Sequence, residues 1–311
     1  MPVRESGAKT DIRPQKVRDK RHNDDALFDL VVKLLLLAFG IICLYPLWYT
    51  IIASISNPAY VNDGSVVLLP KGLTLAAYRA LFHEKSIWVG YKNTLIYTTT
   101  YTVLHMAVLL PCAFTMSRDN LPGRKLLFFY FLITMYFSGG MAASYILMSR
   151  LHLTNTRWIE IIPMGVGVSN LVLMKKYLET NVPESLFESA TLDGAGPIRY
   201  FLNFVLPLSK PMIAVISLYA VVAKWNAYMG PMIYIRDNSK QVLQVIIKSI
   251  TANLDTTAME QMTPEEVDEV MARKQLLKFA TVIAAALPLM LLYPFMQRYL
   301  ISGMTIGAVK E

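Results

Sequence analysis

Long apolar segments separated by polar stretches dominate the pattern of this 311-residue chain. A hydrocarbon layer about 30 Å thick is crossed by about 20 helical residues, so apolar runs of that length predict spanning helices. They should be helices because backbone groups in lipid must pair locally, which open strands do not achieve. The pattern therefore predicts an all-α membrane protein with six transmembrane helices, over residues 30–55, 94–116, 126–148, 159–174, 213–235 and 279–296.

Composition agrees with a membrane location. The mean hydropathy is +0.41 and only 17% of residues are charged, whereas a soluble domain needs about a quarter to cover its surface. The net charge is +8, and seven of the 30 basic residues lie in the first 21 positions, mixed with acidic ones. Residues 1–26 therefore read as a basic cytoplasmic tail and not as a nucleic-acid-binding segment. That tail also lacks the features of a secretory signal.

The distribution of basic residues predicts the orientation of the remaining domain, residues 27–311. Arg118, Arg124 and Lys125 follow the second apolar segment, which favours cytoplasmic N- and C-termini, although the outer loops are also basic. The loop 175–211 and the tail 298–311 are then cytoplasmic. Residues 56–92, 149–158 and 236–275 face outside, and Thr263 with Glu266 predicts a capping-box helix in the last of these loops.

The cytoplasmic loop contains a predicted helix–turn–helix. Proline at 183 and the acidic Glu184 favour a helix to about residue 192, the segment 193–197 breaks it, and a second amphipathic helix runs to Pro207. Leu186, Phe187 and Ala190 form an apolar patch on the first helix. The spacing suits a groove on another protein, or a surface resting on the bilayer.

Residues 181–207 of this loop resemble the EAA loop of binding-protein-dependent ABC importer permeases. The matching positions are Glu188, Ser189, Ala190, Gly194, Phe204, Leu206 and Pro207, of which Ser189 and Phe204 depart mildly from the commonest residues. "LPLSKP" at 206–211 and "WNAYMGPMIY" at 225–234 are similar to the carbohydrate, maltose-type branch. "YPFMQRYLISGMTIGAVK" at 293–310 is similar to the subgroup that imports larger oligosaccharides.

The resemblance implies the type I ABC importer permease fold, in a bacterial inner or plasma membrane. It implies a second homologous permease, a dimer of ATPase subunits, an extracellular solute-binding protein and a carbohydrate substrate. The first loop helix would dock on the ATPase, with Glu188 pairing with a cation, Ala190 and Gly194 allowing close approach, and Asp193 forming the turn. ATP and Mg²⁺ should bind to that subunit, since this chain lacks a phosphate-binding Gly-x-x-x-x-Gly-Lys-Ser/Thr motif and is expected to bind no cofactor.

Candidate residues for the substrate pathway combine rings with hydrogen-bonding groups, as sugar recognition requires. They are Trp225, Asn226, Tyr228, Lys224, Tyr136, Asn170 and Tyr234. For Trp225, Asn226 and Tyr228, helix packing with interfacial aromatic residues is the favoured interpretation. A lysine inside a span is costly, so Lys224 is either a pathway charge or an anchor near the cytosol.

Two other classes of function fit less well. An enzyme would need a nucleophile with its base or a metal cluster, whereas the four histidines are scattered. An ion-coupled secondary transporter of a small polar solute would need acidic residues deep in the spans. Asp29 and Glu160 lie only at the edges of the apolar segments.

Overall fold

A computed structural model describes residues 21–162, 165–252 and 263–305. Clustering of contacts divides the chain into two units, residues 1–49 and 50–311. Most of the predicted tail 1–26 lies outside the described residues. The described part of the first unit belongs to helix α1 (Arg21–Ser54), whose segment Phe28–Ser54 has a mean hydropathy of 2.4. It coincides with the first predicted span.

The second unit is a bundle of helices of very different lengths, and no strand is assigned among its described residues. In chain order the helices are α2 (Pro58–Asn62), α3 (Ala76–His83), α4 (Lys85–Ser117), α5 (Arg124–Tyr136), α6 (Gly140–Arg150), α7 (Trp158–Ile161), α8 (Val168–Asn181), α9 (Glu184–Leu192), α10 (Pro197–Tyr200), α11 (Leu206–Leu208), α12 (Lys210–Trp225), α13 (Met229–Tyr234), α14 (Leu243–Ala252) and α15 (Pro264–Thr305). A π-helical turn, Phe201–Val205, connects α10 to α11, and a 3₁₀ turn, Asn238–Lys240, precedes α14.

Three segments of the described chain are single helices long and apolar enough to cross a membrane: Phe28–Ser54, Lys85–Ser117 and Leu277–Pro294. They correspond to the first, second and sixth predicted spans. Two bent pairs raise the number to five if each pair counts as one span. The helices α5 and α6 meet at 111°, and the segment Pro197–Leu208 meets α12 at 78°.

Breaks inside apolar runs explain where the predicted spans differ from single helices. The third span, 126–148, breaks after Tyr136, where Gly140 has a φ of 78° that glycine adopts without strain. The fourth, 159–174, contains only the four-residue α7 before α8 begins at Val168. Leu171 and Met174 of α8 are fully buried, so this segment is a core element. The fifth is interrupted between α12 and α13.

The two long helices of the second unit extend past the predicted spans. Helix α4 begins at Lys85, and α15 begins at Pro264, where the capping box is confirmed: the Thr263 amide donates to Glu266 Oε2 at 2.8 Å. The Glu266 amide donates back to Thr263 Oγ1 at 3.4 Å. These bonds from Thr263 lower the pKa of the Glu266 carboxyl. The predicted outer helix is therefore continuous with the sixth span.

Helix α4 is the central element of the second unit, in contact with α8, α12 and α14. At 1.5 Å per residue its 33 residues extend about 50 Å. Near its C-terminal end Leu109 and Ala113 join a core cluster with α8 and α12. Near its N-terminal end Ile87 joins a second cluster with Trp225 and residues of α14 and α15. One helix thus connects both ends of the core.

Two predicted outer loops are joined by Asn155, which has a φ of 57°. The Asn155 backbone N–H donates to the Tyr234 carbonyl at 2.7 Å. The side-chain Oδ1 of Asn155 accepts from the backbone N–H groups of Arg236 and Asp237 at 3.1 and 3.0 Å. Hydrogen bonds from Ser239 lower the pKa of Asp237 to about 2, so this carboxylate stays charged. The loops following α6 and α13 therefore form one hydrogen-bonded structure.

Candidate functional site

The predicted helix–turn–helix is present as α9, a glycine turn and α10. Pro183 caps α9 in an extended conformation, and Glu184 lies in the first turn, where a negative charge is favourable. After the C-cap Asp193, Gly194 has a φ of 77°. The Gly194 amide donates to the Thr191 carbonyl at 3.0 Å and the Ala195 amide to the Ala190 carbonyl at 2.9 Å. These two bonds are those of a Schellman turn.

Glycine at 194 is required by its backbone conformation. Apart from its chain neighbours, nothing in the described chain lies within 4 Å of a Cβ built at this position, so the close approach to the ATPase backbone stays a prediction. Asp193 was predicted to form the turn through its side chain. No side-chain hydrogen bond of Asp193 occurs among the described residues, and the turn is held by backbone bonds.

The apolar patch of α9 faces inward, which corrects its predicted role in a partner's groove. Ala190 is only 4% exposed, and Leu186 and Phe187 pack against the core cluster below it. The Phe187 ring lies 5.0 Å from that of Tyr200 in an edge-on arrangement. The patch therefore attaches α9 to its own chain.

The outer face of α9 carries the remaining motif residues. Glu188 and Ser189 are exposed, and Leu192 is 90% exposed. Glu188 has no hydrogen bond or ion pair within the described part of the chain, whereas Ser189 Oγ donates to the Ser185 carbonyl at 2.9 Å. An open cavity of about 680 Å³ borders this face and is lined in part by Asp119, Glu184 and Glu188. The surface offers carboxylates around an apolar side chain.

The rest of the motif lies where the second limb bends into α12. Leu206 is half-buried and Pro207 is exposed, both in α11. Phe204 stacks on Tyr200 with ring centres 5.5 Å apart. The second limb was predicted to end at Pro207; its helical turns continue to Leu208, and α12 follows after Ser209.

Lys224 and Asn170, two of the candidate pathway residues, join a polar cluster inside the bundle. Lys224 Nζ lies 2.6 Å from Glu160 Oε2 and 5.0 Å from the centre of the Tyr101 ring. Tyr101 stacks on His105 at 5.6 Å, and Asn170 Nδ2 lies 3.2 Å from His105 Nε2. We call these five residues the polar belt.

The other candidate pathway residues have separate surroundings. Trp225 is 5% exposed and its Nε1 donates to the Ala285 carbonyl at 3.0 Å, which makes it a packing residue between α12 and α15. Asn226 Nδ2 donates to Val222 at 3.0 Å. Tyr228 lies under Lys248 Nζ at 4.4 Å, Tyr136 is 78% exposed, and Tyr234 stacks on Tyr145.

Sequence reasoning missed two partners that the fold supplies. Glu160 was assigned to a segment edge, yet it is 3% exposed and pairs with Lys224. The presence of opposite charges in two apolar segments was an available signal for that pairing. Arg118 contributes only to the predicted orientation, and no local sequence pattern indicates its aromatic surroundings.

A bundle with several helices long and apolar enough to cross a bilayer is typical of a polytopic membrane protein. The chain belongs to the family described as binding-protein-dependent transport system inner membrane component, which matches residues 86–306. It is a permease subunit of an ABC importer and not an enzyme, since ATP hydrolysis takes place on a separate subunit.

Similar proteins cover almost the whole chain. The polygalacturonan/rhamnogalacturonan transport system permease protein YtcP of Bacillus subtilis (strain 168) is 34% identical over 91% of this chain and 98% of its own length. The maltodextrin transport system permease protein MdxG of the same organism is 30% identical over 89% and 94%. A crystal structure of a bacterial ABC transporter involved in the import of the acidic polysaccharide alginate has a chain that superimposes with a TM-score of 0.79. The identity is 30%, over 89% of this chain and 97% of that one.

Proposed function

We propose that this chain forms, with a second homologous permease, the membrane pathway for an oligosaccharide delivered by an extracellular solute-binding protein. The names of YtcP, MdxG and the alginate transporter support a carbohydrate substrate. The pathway would be driven by a dimer of ATPase subunits that bind ATP and Mg²⁺. Both termini would be cytoplasmic. In the assembled pair of permeases, the segment 159–174 would be the remaining one of six spans in this chain.

The observation that carries the coupling role is the exposed face of α9. Its apolar side is fixed to the core, whereas Glu188, Thr191 and Leu192 are exposed. A helix held from behind with carboxylates and a leucine in front suits docking in a cleft that supplies cations and an apolar floor. Rigid attachment matters because a loose helix would absorb the movement of the ATPase.

The test is Gly194→Leu in the complete complex, reconstituted in vesicles with partner permease, ATPase and binding protein. A φ of 77° costs a side-chain-bearing residue about 1–2 kcal/mol, so the turn should shift. The protein should insert and assemble, but loaded binding protein should no longer stimulate ATP hydrolysis. A fully coupled Gly194→Leu complex would contradict the proposal.

A matched control is Gly64→Leu in a predicted outer loop. Gly64 has a φ of 73° and nothing within 4 Å of a built Cβ, so it carries the same backbone strain away from the turn. Its complex should remain coupled.

Uptake that required internal ATP and the binding protein would support the importer, whereas uptake driven by an ion gradient alone would support the secondary transporter. Comparing labelled galacturonan and maltodextrin fragments would identify the type of sugar.

A further inference from the structure

Arg118, at the C-terminal cap of α4, lies among three aromatic rings from three elements. Its Cζ is 4.9 Å from the centre of the Phe114 ring of α4, 5.1 Å from that of Phe187 of α9 and 5.2 Å from that of Tyr200 of α10. Only 14% of the arginine side chain is exposed. One guanidinium therefore contacts the central helix and both limbs of the helix–turn–helix.

The rings also contact one another. Phe187 meets Tyr200 edge-on at 5.0 Å, and Phe114 lies 6.2 Å from Tyr200, which is fully buried. Arg118 Nη2 lies 3.4 Å from the Tyr200 hydroxyl, which can accept a hydrogen bond from it. Cation–π contacts strengthen when water is excluded, and aromatic pairs add to them. The four side chains form a single packed unit, which we call the arginine cage.

Cation–π contacts contribute more to this unit than ion pairing. Arg118 Nη1 is 3.9 Å from Glu184 Oε2, but the Glu184 side chain is 47% exposed, and exposed ion pairs contribute little. A guanidinium stacks on ring faces, whereas an ammonium is a compact and strongly hydrated charge. Lysine at this position would keep the charge and lose the stacking.

The position of the cage gives it a mechanical consequence. Helix α4 contacts α8 and α12 and carries Tyr101 and His105 of the polar belt. On the basis of the proposed docking of α9, we infer that Arg118 is a positioning residue that transmits displacement of the helix–turn–helix to α4. Without the cage, α9 would still pack on the core through its own Ala190 and Leu186, but it would lose its attachment to the end of α4.

The experiment compares Arg118→Lys with the unmodified chain in the full reconstituted complex. The readouts are the amount of assembled complex, the basal ATP hydrolysis per complex, its stimulation by loaded binding protein, and sugar taken up per ATP hydrolysed. We expect assembly and basal hydrolysis within twofold of the unmodified complex. Stimulation should fall about tenfold, equivalent to about 1.4 kcal/mol at 25 °C, and uptake per ATP should fall with it.

Arg124→Lys is the matched control, because Arg124 has no cation–π contact among the described residues: it pairs with Asp119 at 2.7 Å and Glu179 at 3.9 Å, and it donates to the Ser117 carbonyl at 3.4 Å. It should remain coupled. Phe187→Leu keeps an apolar side chain and removes one ring of the cage, so it should also lose stimulation by the loaded binding protein. This second variant tests the inference even if the Arg118→Lys complex does not assemble.

Unchanged stimulation in both cage variants would overturn the inference, as would a loss in Arg124→Lys equal to that in Arg118→Lys. A fall in the amount of complex with normal stimulation per complex would also overturn it, because the cage would then be only structural. If Gly194→Leu abolishes stimulation while the cage variants keep it, this inference fails and the proposed function stands. If Gly194→Leu itself stays coupled, the proposed function fails.

Discussion

The helix–turn–helix and the polar belt are built in opposite ways. In α9 the apolar side is buried and the polar motif residue Glu188 is exposed, as in a surface helix of a soluble protein. In the belt, Glu160 and His105 are 3% exposed and are surrounded by segments that read as membrane spans. One region leaves its polar groups exposed, and the other pairs polar side chains with one another inside the bundle.

The difference shows which interactions local sequence fixes. The turn at Gly194 depends on backbone hydrogen bonds between residues a few positions apart. The belt depends on pairs such as Glu160 with Lys224, which are 64 positions apart. The turn should therefore tolerate distant changes, whereas the belt should respond strongly to the loss of one charge of its ion pair.

The largest effect is expected from Glu160→Gln, which leaves the Lys224 charge uncompensated. Removing one partner of a buried ion pair costs about 3–5 kcal/mol. The melting temperature of the detergent-solubilised complex should fall clearly, and Glu160→Gln combined with Lys224→Met should recover much of the loss.

Glu179→Gln is the control for that change. Glu179 pairs with Lys175, four positions away on α8, at the same distance of 2.6 Å. The Glu179 side chain is 24% exposed, however, against 4% for that of Glu160. Helix pairs of this kind contribute about 0.3–0.5 kcal/mol. Equal melting temperatures for the two single variants would show that burial does not distinguish the pairs.

An intermediate effect is expected within α9, where neighbouring positions differ in burial. Ala190→Leu should overpack the 4% exposed site and cost about 1–3 kcal/mol of stability. Leu192→Ala, at a 90% exposed site, should change stability by less than about 0.5 kcal/mol. It should instead weaken retention of the ATPase subunit, since burying a leucine contributes about 1.5–3 kcal/mol. Melting curves and co-purification separate the two effects, and the reverse pattern would show that α9 faces the other way.

Much of the fold could be predicted from sequence because lipid imposes length and helix formation. The segments at 94–116 and 279–296 each fall within one helix, and the segment at 30–55 extends one residue past the end of α1. Breaks inside the apolar runs could not be placed from the length and mean hydropathy of a run alone, because apolar residues lie on both sides of the break after Tyr136. The glycine pair at 139–140 was an available signal for the first of these breaks.

The candidate site divides in the same way. Local rules predicted α9, its turn and the capping box at Thr263, because each depends on residues within one or two turns. The roles of Trp225 and of the α9 patch depend on which surface the fold turns inward. Trp225 hydrogen bonds to α15 and the patch packs on the core, outcomes that tertiary packing decides. Residues 306–311, at the end of the C-terminal segment that the family resemblance covers, lie outside the described residues.

The smallest effect is expected from Asn170→Ala, which removes the bond between its Nδ2 and His105 Nε2 but leaves the stacking of His105 on Tyr101. A single hydrogen bond contributes about 0.5–1.5 kcal/mol, so the melting temperature should fall slightly. Asn226→Ala is the control, because the exposed Asn226 donates only to Val222 of its own helix, and its removal should have no measurable effect. A loss for Asn170→Ala as large as that for Glu160→Gln would mean that the belt acts as one cooperative network. Its members would then have to be treated together and not as an ion pair with an attached amide.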